Sequence, residues 1–263
     1  MIDGVPAHVS KPIGVLHPPI LFVHGMFGGG WMFENYVKFF VARGHACYAI
    51  YLRGHHDSIR VPDVGKVSVR KYTDDARAVA RALGRPIVIG HSMGGLIAQL
   101  LAESGDALAA VMIAAAPPRW ISPLGVPLLY RMLFHLPALF LSRPIHPTRA
   151  DADSLMYNRT PESERAAQFA RLVPESGRAG RELAFGAVAV DAARVSVPML
   201  SVGATDDRFL PPRIARAIAK KYGGEHLQFA KHGHHIISEP GWEIPARAIG
   251  EWFERSLGGS DAA

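Results

Sequence analysis

Short apolar runs punctuate the first half of the chain. They are Ile20-Leu21-Phe22-Val23, Ala46 to Leu52, Pro86-Ile87-Val88-Ile89 and Ala110 to Ala114. Runs this short and this apolar predict strands buried in a parallel sheet. The stretches between them keep a different period. Trp31 to Val41 is amphipathic and closes at Arg43-Gly44. Tyr72, Ala76, Val79, Ala80 and Leu83 recur at helical spacing, with Gly84 just past the end. Leu96, Ile97, Leu100 and Leu101 do the same, with Ala98 and Ala102 among them. Strand and helix therefore alternate, which implies a parallel sheet with helices on both faces.

The alternation stops at Pro118 and resumes near Val195. Between them lie an apolar, proline-broken part (Ile121 to Leu141) and a charged, helical-looking part (Thr160 to Leu183). Val197 to Val202 then reads as a strand, Pro212 to Tyr222 as a helix, His226 to Phe229 as a last strand and Ile244 to Leu257 as a closing helix. The expected organisation is a core of residues 1–117 and 195–263, interrupted by a helical cap at 118–194.

Composition changes this picture little. The 263 residues, 49% hydrophobic and 20% charged, suit one large domain. The net charge of +6 comes mostly from singly scattered arginines. Without a basic run or interleaved aromatics, that is a solvated surface and no nucleic-acid site. Cys47 is the only cysteine, so an internal disulfide and a thiolate metal cluster are both excluded. Met1 to Pro19 has no signal pattern, and Ile121 to Leu141 is broken by Pro123, Pro127, Arg131, His135 and Pro137. The expectation is a soluble, cytoplasmic protein with no integral membrane segment. The oligomeric state is not readable.

The chemistry centres on Gly90-His91-Ser92-Met93-Gly94-Gly95. It is a G-x-S-x-G sequence framed by a strand and a helix. The tight corner needs glycines on both sides and leaves the serine hydroxyl exposed at a helix N-terminus. His24-Gly25-Met26-Phe27-Gly28-Gly29-Gly30 follows the first strand. It lacks the lysine of a P-loop and the Gly-x-Gly-x-x-Gly of a dinucleotide fold. It matches an H-G-x-x-G loop whose backbone N–H groups serve an oxyanion hole.

On these motifs the chain resembles the capped α/β-hydrolases of the esterase and lysophospholipase-like group. The likeness covers nearly everything but the cap. One departure is that few residues precede the first core strand, so the antiparallel hairpin that usually opens this sheet is expected to be short or missing. The resemblance implies the order Ser, acid, His along the chain. Ser92 is then the nucleophile. The base is His234, in the His232-Gly233-His234-His235 loop, with Glu239-Pro240 following at the family's spacing and His232 and His235 as competitors. The acid is Asp207 or Asp206. The Asp-Arg-x-x-Pro ending selects Asp207, whereas spacing from Gly203 selects Asp206; Asp207 is preferred. The oxyanion donors are the N–H groups of Met26 and Met93, with His24 and His91 as supporting residues. A metal site made from His55, His56, His232, His234 and His235 is the competing reading, but no carboxylate-histidine ligand signature supports it.

The implied reaction is acyl transfer through an acyl-enzyme, with no cofactor and no metal. Leu128, Leu129, Met132, Leu133, Phe134, Leu136, Leu139 and Phe140 make the cap apolar. They either pack it on the core or line an acyl channel. A channel would favour apolar acyl esters or lysophospholipid-like lipids, with Arg143 and Arg149 near an anionic head group. Thioester, lactone and C–C bond hydrolysis and acyl transfer to alcohols use the same triad. A ligand-binding receptor on the same fold is the alternative of another class.

Overall fold

A computed structural model describes residues 1–14, 16–58, 61–123 and 133–258. In chain order the strands are β1 (Ala7–Ser10), β2 (His17–Val23), β3 (His45–Ile50), β4 (Ile87–His91), β5 (Ala109–Ile113), β6 (Pro144–Ile145), β7 (Glu175–Ser176), β8 (Met199–Ala204) and β9 (Glu225–Phe229). Among the described residues the α-helices of five residues or more are α1 (Glu34–Val41), α2 (Val69–Ala82), α3 (Met93–Glu103), α4 (Leu136–Phe140), α5 (Glu162–Phe169), α6 (Gly177–Ala184), α7 (Pro212–Tyr222) and α8 (Glu243–Leu257).

Among the described residues one seven-stranded sheet runs in the order β1-β3-β2-β4-β5-β8-β9. All neighbours are parallel except β1, which lies antiparallel on β3. This is the α/β-hydrolase sheet that the sequence motifs imply. The opening antiparallel element is present as the four residues of β1. β2 also begins at His17, before the apolar run; its first two residues are exposed and so leave no hydrophobic signal in the sequence.

Alternation within each strand assigns side chains to two cores. Ile20 and Phe22 face one side, with Phe33, Phe40, Ile249 and Trp252 from α1, its preceding turn and α8. Leu21 and Val23 face the other, with Tyr72, Val79, Leu96, Leu101 and Ile218 from α2, α3 and α7. Cys47 is buried in the first layer, and burial pushes its thiol pKa up to about 12, so it is an inert small hydrophobe. α7 opens at Pro212 and closes at Gly223, whose φ of 63° is left-handed. Both ends match the sequence reading.

The strand order also locates the site. From β2 the chain moves outward to β3, then returns to the far side of β2 as β4. The loops leaving β2 and β4 therefore diverge, opening a crevice at the carboxyl ends of these strands. Both candidate motifs lie there. Residues 133–194 supply Leu139, Ile145, Met156, Tyr157 and Leu172 to a third apolar cluster, which they share with Phe27 of the loop after β2. The charged part read as one helical stretch is two helices, α5 and α6, separated by β7. β7 pairs with β6, about thirty residues earlier in the chain, through a two-residue ladder. No described helix is long and apolar enough to cross a membrane.

Candidate active site

Ser92 is the one residue between β4 and α3, and its φ of 55° and ψ of −118° are strained for a residue with a side chain. The corner closes because its glycines have no Cβ. A Cβ on Gly90 would sit 2.0 Å from the Gly94 carbonyl oxygen, and one on Gly94 would sit 2.0 Å from the Val23 carbonyl oxygen. The Ser92 backbone is tied on both sides. Its N–H donates to Ile113 O (3.0 Å), and its carbonyl accepts from Ala116 N (2.9 Å). The sheet therefore sets where the hydroxyl points.

His234 Nε2 lies 3.1 Å from Ser92 Oγ, and His234 Nδ1 lies 2.9 Å from Asp207 Oδ2. All three residues are buried. The other Asp207 oxygen accepts from the N–H groups of Phe209 and Leu210, at 2.8 Å each. These bonds orient the carboxylate and fix the imidazole with its proton on Nδ1, leaving Nε2 to accept from the serine. Asp206 turns the other way: Arg159 pairs with its carboxylate, and Asn158 Nδ2 donates to its carbonyl at 2.9 Å. The structure thus brings Ser92, His234 and Asp207 together and leaves Asp206 outside.

The neighbouring histidines have other partners. His235 is fully buried near Ser238 Oγ, and burial, with His234 beside it, lowers its pKa to about 3. His232 Nδ1 lies 3.5 Å from Glu239 Oε2, and His56 Nδ1 is 2.8 Å from Ser58 Oγ. His91 Nε2–H donates to the His234 carbonyl at 2.8 Å. Burial keeps His91 neutral, with its pKa well below the usual imidazole value. The phenyl ring of Phe209 stacks on His234 at 4.9 Å.

The glycine-rich loop after β2 passes the serine so closely that a Cβ on Gly25 would lie 2.8 Å from Ser92 Cβ. His24 sets the next peptide. Its Nδ1–H donates to Gly25 O (2.7 Å), while its Nε2 accepts from Leu52 N (3.1 Å). Burial lowers its pKa to about 3, so the neutral tautomer is the stable one. In a trans peptide the N–H points opposite the carbonyl. Fixing Gly25 O therefore fixes the direction of the Met26 N–H. Met93 opens α3, where the first N–H groups have no partner within the helix.

Ser92 forms part of the floor of a cavity whose walls include Met26, Phe27, Leu139, Ile145, Met156 and Phe209. The polar pair on its wall is His135 and Asp151, 3.1 Å apart. Leu139 is buried against the cavity, whereas Phe134 and Phe140 are exposed. Leu128, Leu129, Met132 and the Leu133 side chain lie outside the described residues. Arg149 pairs with Asp153 at 2.8 Å, and neither Arg143 nor Arg149 lines the cavity.

A family model, Alpha/beta hydrolase family, matches residues 20–243. The chain belongs to the alpha/beta hydrolase family. Among curated relatives it is 36% identical over 88 residues to an sn-1-specific diacylglycerol lipase of Mus musculus (32% of this chain, 28% of the relative). It is 36% identical over 115 residues to Esterase PIR7B of Oryza sativa subsp. japonica (41% of this chain, 42% of the relative). The matched stretch thus spans less than half the length of either hydrolase. The fold of a Paleococcus ferrophilus monoacylglycerol lipase is similar over 94% of this chain and 97% of that one, with a TM-score of 0.73 at 20% identity. So is that of a thermophilic esterase from Thermogutta terrifontis, over 96% and 93% of the two chains, with a TM-score of 0.71 at 19% identity.

Proposed function

We propose that this hydrolase cleaves carboxylic esters through an acyl-enzyme formed on Ser92. The observation that carries the proposal is the Ser92–His234–Asp207 chain of contacts, with Ser92 opening onto an apolar cavity. His234 takes the proton of Ser92 Oγ as that oxygen attacks the ester carbonyl. Asp207 holds the imidazole in place and stabilises the imidazolium without taking the proton itself. The Met26 and Met93 N–H groups receive the charge that develops on the carbonyl oxygen, each worth about 3 kcal/mol at such sites. The imidazolium gives its proton to the departing alcohol. Water, deprotonated by His234, then attacks the acyl-enzyme, and the acid leaves with Ser92 reprotonated.

In this reading residues 118–194 are a cap on a core made of 1–117 and 195–263. Its apolar lining favours the acyl chain of a medium or long ester or a lipid. The esterase and lipase relatives support that class. The test is hydrolysis of p-nitrophenyl esters from acetate to palmitate, wild type beside Ser92→Ala. Turnover should rise beyond acetate and vanish in Ser92→Ala. Turnover that survives in Ser92→Ala would refute the mechanism, and rates that peak on acetate would refute the acyl-chain assignment.

A further inference from the structure

Glu175, on β7, is fully buried and more than a hundred residues from most of its partners. One carboxylate oxygen accepts from Tyr72 Oη and from Ser176 N, both at 2.6 Å. The other lies 3.1 Å from His55 Nε2 and accepts from the Phe27 N–H at 3.3 Å. Phe27 follows Met26 directly, and its φ of 65° is left-handed and strained. Its carbonyl is held as well, by Val173 N at 2.9 Å. A single stretch, Val173 to Glu175, thus grips both polar groups of the strained residue beside Met26.

Two peptide planes meet at Met26. His24 fixes the one before it through Gly25 O, and Glu175 fixes the one after it through Phe27 N–H. The rings of His24 and His55 are 4.8 Å apart, so the two supports touch. Burial disfavours charge on both His55 and Glu175. Their pairing more than offsets it: His55 is raised above the usual imidazole value, and Glu175 is held below the usual carboxylate range. An ionised carboxylate is the stronger acceptor for a backbone N–H.

We infer that Glu175, paired with His55, is a positioning residue that aims the Met26 N–H at the developing oxyanion, and so links the segment over the crevice to catalysis. The inference rests on the serine-hydrolase reading of Ser92 and deepens it. A positioning role predicts a loss confined to transition-state binding.

The test compares wild type with Glu175→Gln and with the double variant Glu175→Gln/His55→Gln. The double variant removes the uncompensated buried imidazole and guards against misfolding of the single one. The readouts are kcat and KM on p-nitrophenyl butyrate, thermal midpoint, and the inhibition constant of an alkyl trifluoromethyl ketone, whose serine adduct carries the oxyanion. We expect kcat to fall about 10- to 100-fold. KM should stay within threefold, and the inhibitor should weaken by the same factor as kcat/KM. Folded variants with kcat and inhibitor affinity within twofold of wild type, or with a loss in KM alone, would overturn the inference. Wild type that resists fluorophosphonate labelling at Ser92 would instead overturn the hydrolase reading, and this inference with it.

Discussion

At positions 206 and 207 two adjacent carboxylates point in opposite directions, and the backbone decides which one can serve His234. The Phe209 and Leu210 N–H groups turn back onto Asp207, whereas Asp206 faces Arg159. The sequence motifs pointed to either residue, and the Asp-Arg-x-x-Pro ending favoured Asp207, the one found against the imidazole. In Asp207→Asn the side-chain amide would donate to Nδ1 and impose the wrong tautomer, so kcat should fall by about 10³- to 10⁴-fold. Asp206→Asn should leave kcat within threefold and weaken only the tie to Arg159. Steady-state kinetics of the two variants side by side check this, and equal losses would contradict it. His234 was legible from its loop and the following Glu239-Pro240. The hold of His91 on the His234 carbonyl was not, because a hydrogen bond between residues 143 positions apart leaves no local pattern. The same holds for Glu175, which carries no motif and whose partners beyond its neighbour Ser176 come from three distant parts of the chain.

The elements of the core were legible because each obeys one period. Short apolar runs gave β2 to β5, and the helix read from Pro212 to Tyr222 is α7 with the same bounds. β1 was not recovered, since its four residues are partly or wholly exposed on the sheet edge and lack an apolar signature. The segment over the crevice was legible only as a break in alternation. Its helices are short, α5 buries no residue, and its strands are two residues long. The elbow is the element with the least tolerance. Gly94→Ala would press a methyl group onto the Val23 carbonyl of the neighbouring strand, and backbone atoms cannot yield as a side chain can. The expected cost is roughly 3 kcal/mol or more, at or beyond the upper end of ordinary overpacking. Urea denaturation should show it as a lowered midpoint with the slope unchanged, and a wild-type midpoint would contradict the packing described for the elbow.

For the whole molecule, buried histidines set the acid limit. His24 and His235 have pKa values near 3, and His91 lies well below its usual value, all chiefly from burial. Unfolding frees them to take protons at ordinary imidazole values. Between about pH 6.5 and pH 3 the unfolded chain therefore binds more protons, and stability falls as pH falls. At about pH 5 the loss is on the order of 2 kcal/mol for each of His24 and His235. The His55–Glu175 pair does not cancel this. The raised His55 contributes stability that is already complete below its ordinary value, and the lowered Glu175 keeps its contribution until the pH drops below the carboxylate range. Calorimetric midpoints should thus decline from pH 7 to pH 5, and a flat profile would contradict the assignment of these histidines as neutral.

The acyl-enzyme proposed on Ser92 is a covalent intermediate. It is tested most directly by mixing the protein with a p-nitrophenyl ester, quenching in acid within milliseconds to seconds, and weighing the intact chain. A species heavier by one acyl group should appear, map by peptide analysis to Ser92, decay as the free acid appears and be absent in Ser92→Ala. Product release with no adduct at any time, joined to undiminished turnover in Ser92→Ala, or an adduct on another residue, would contradict it.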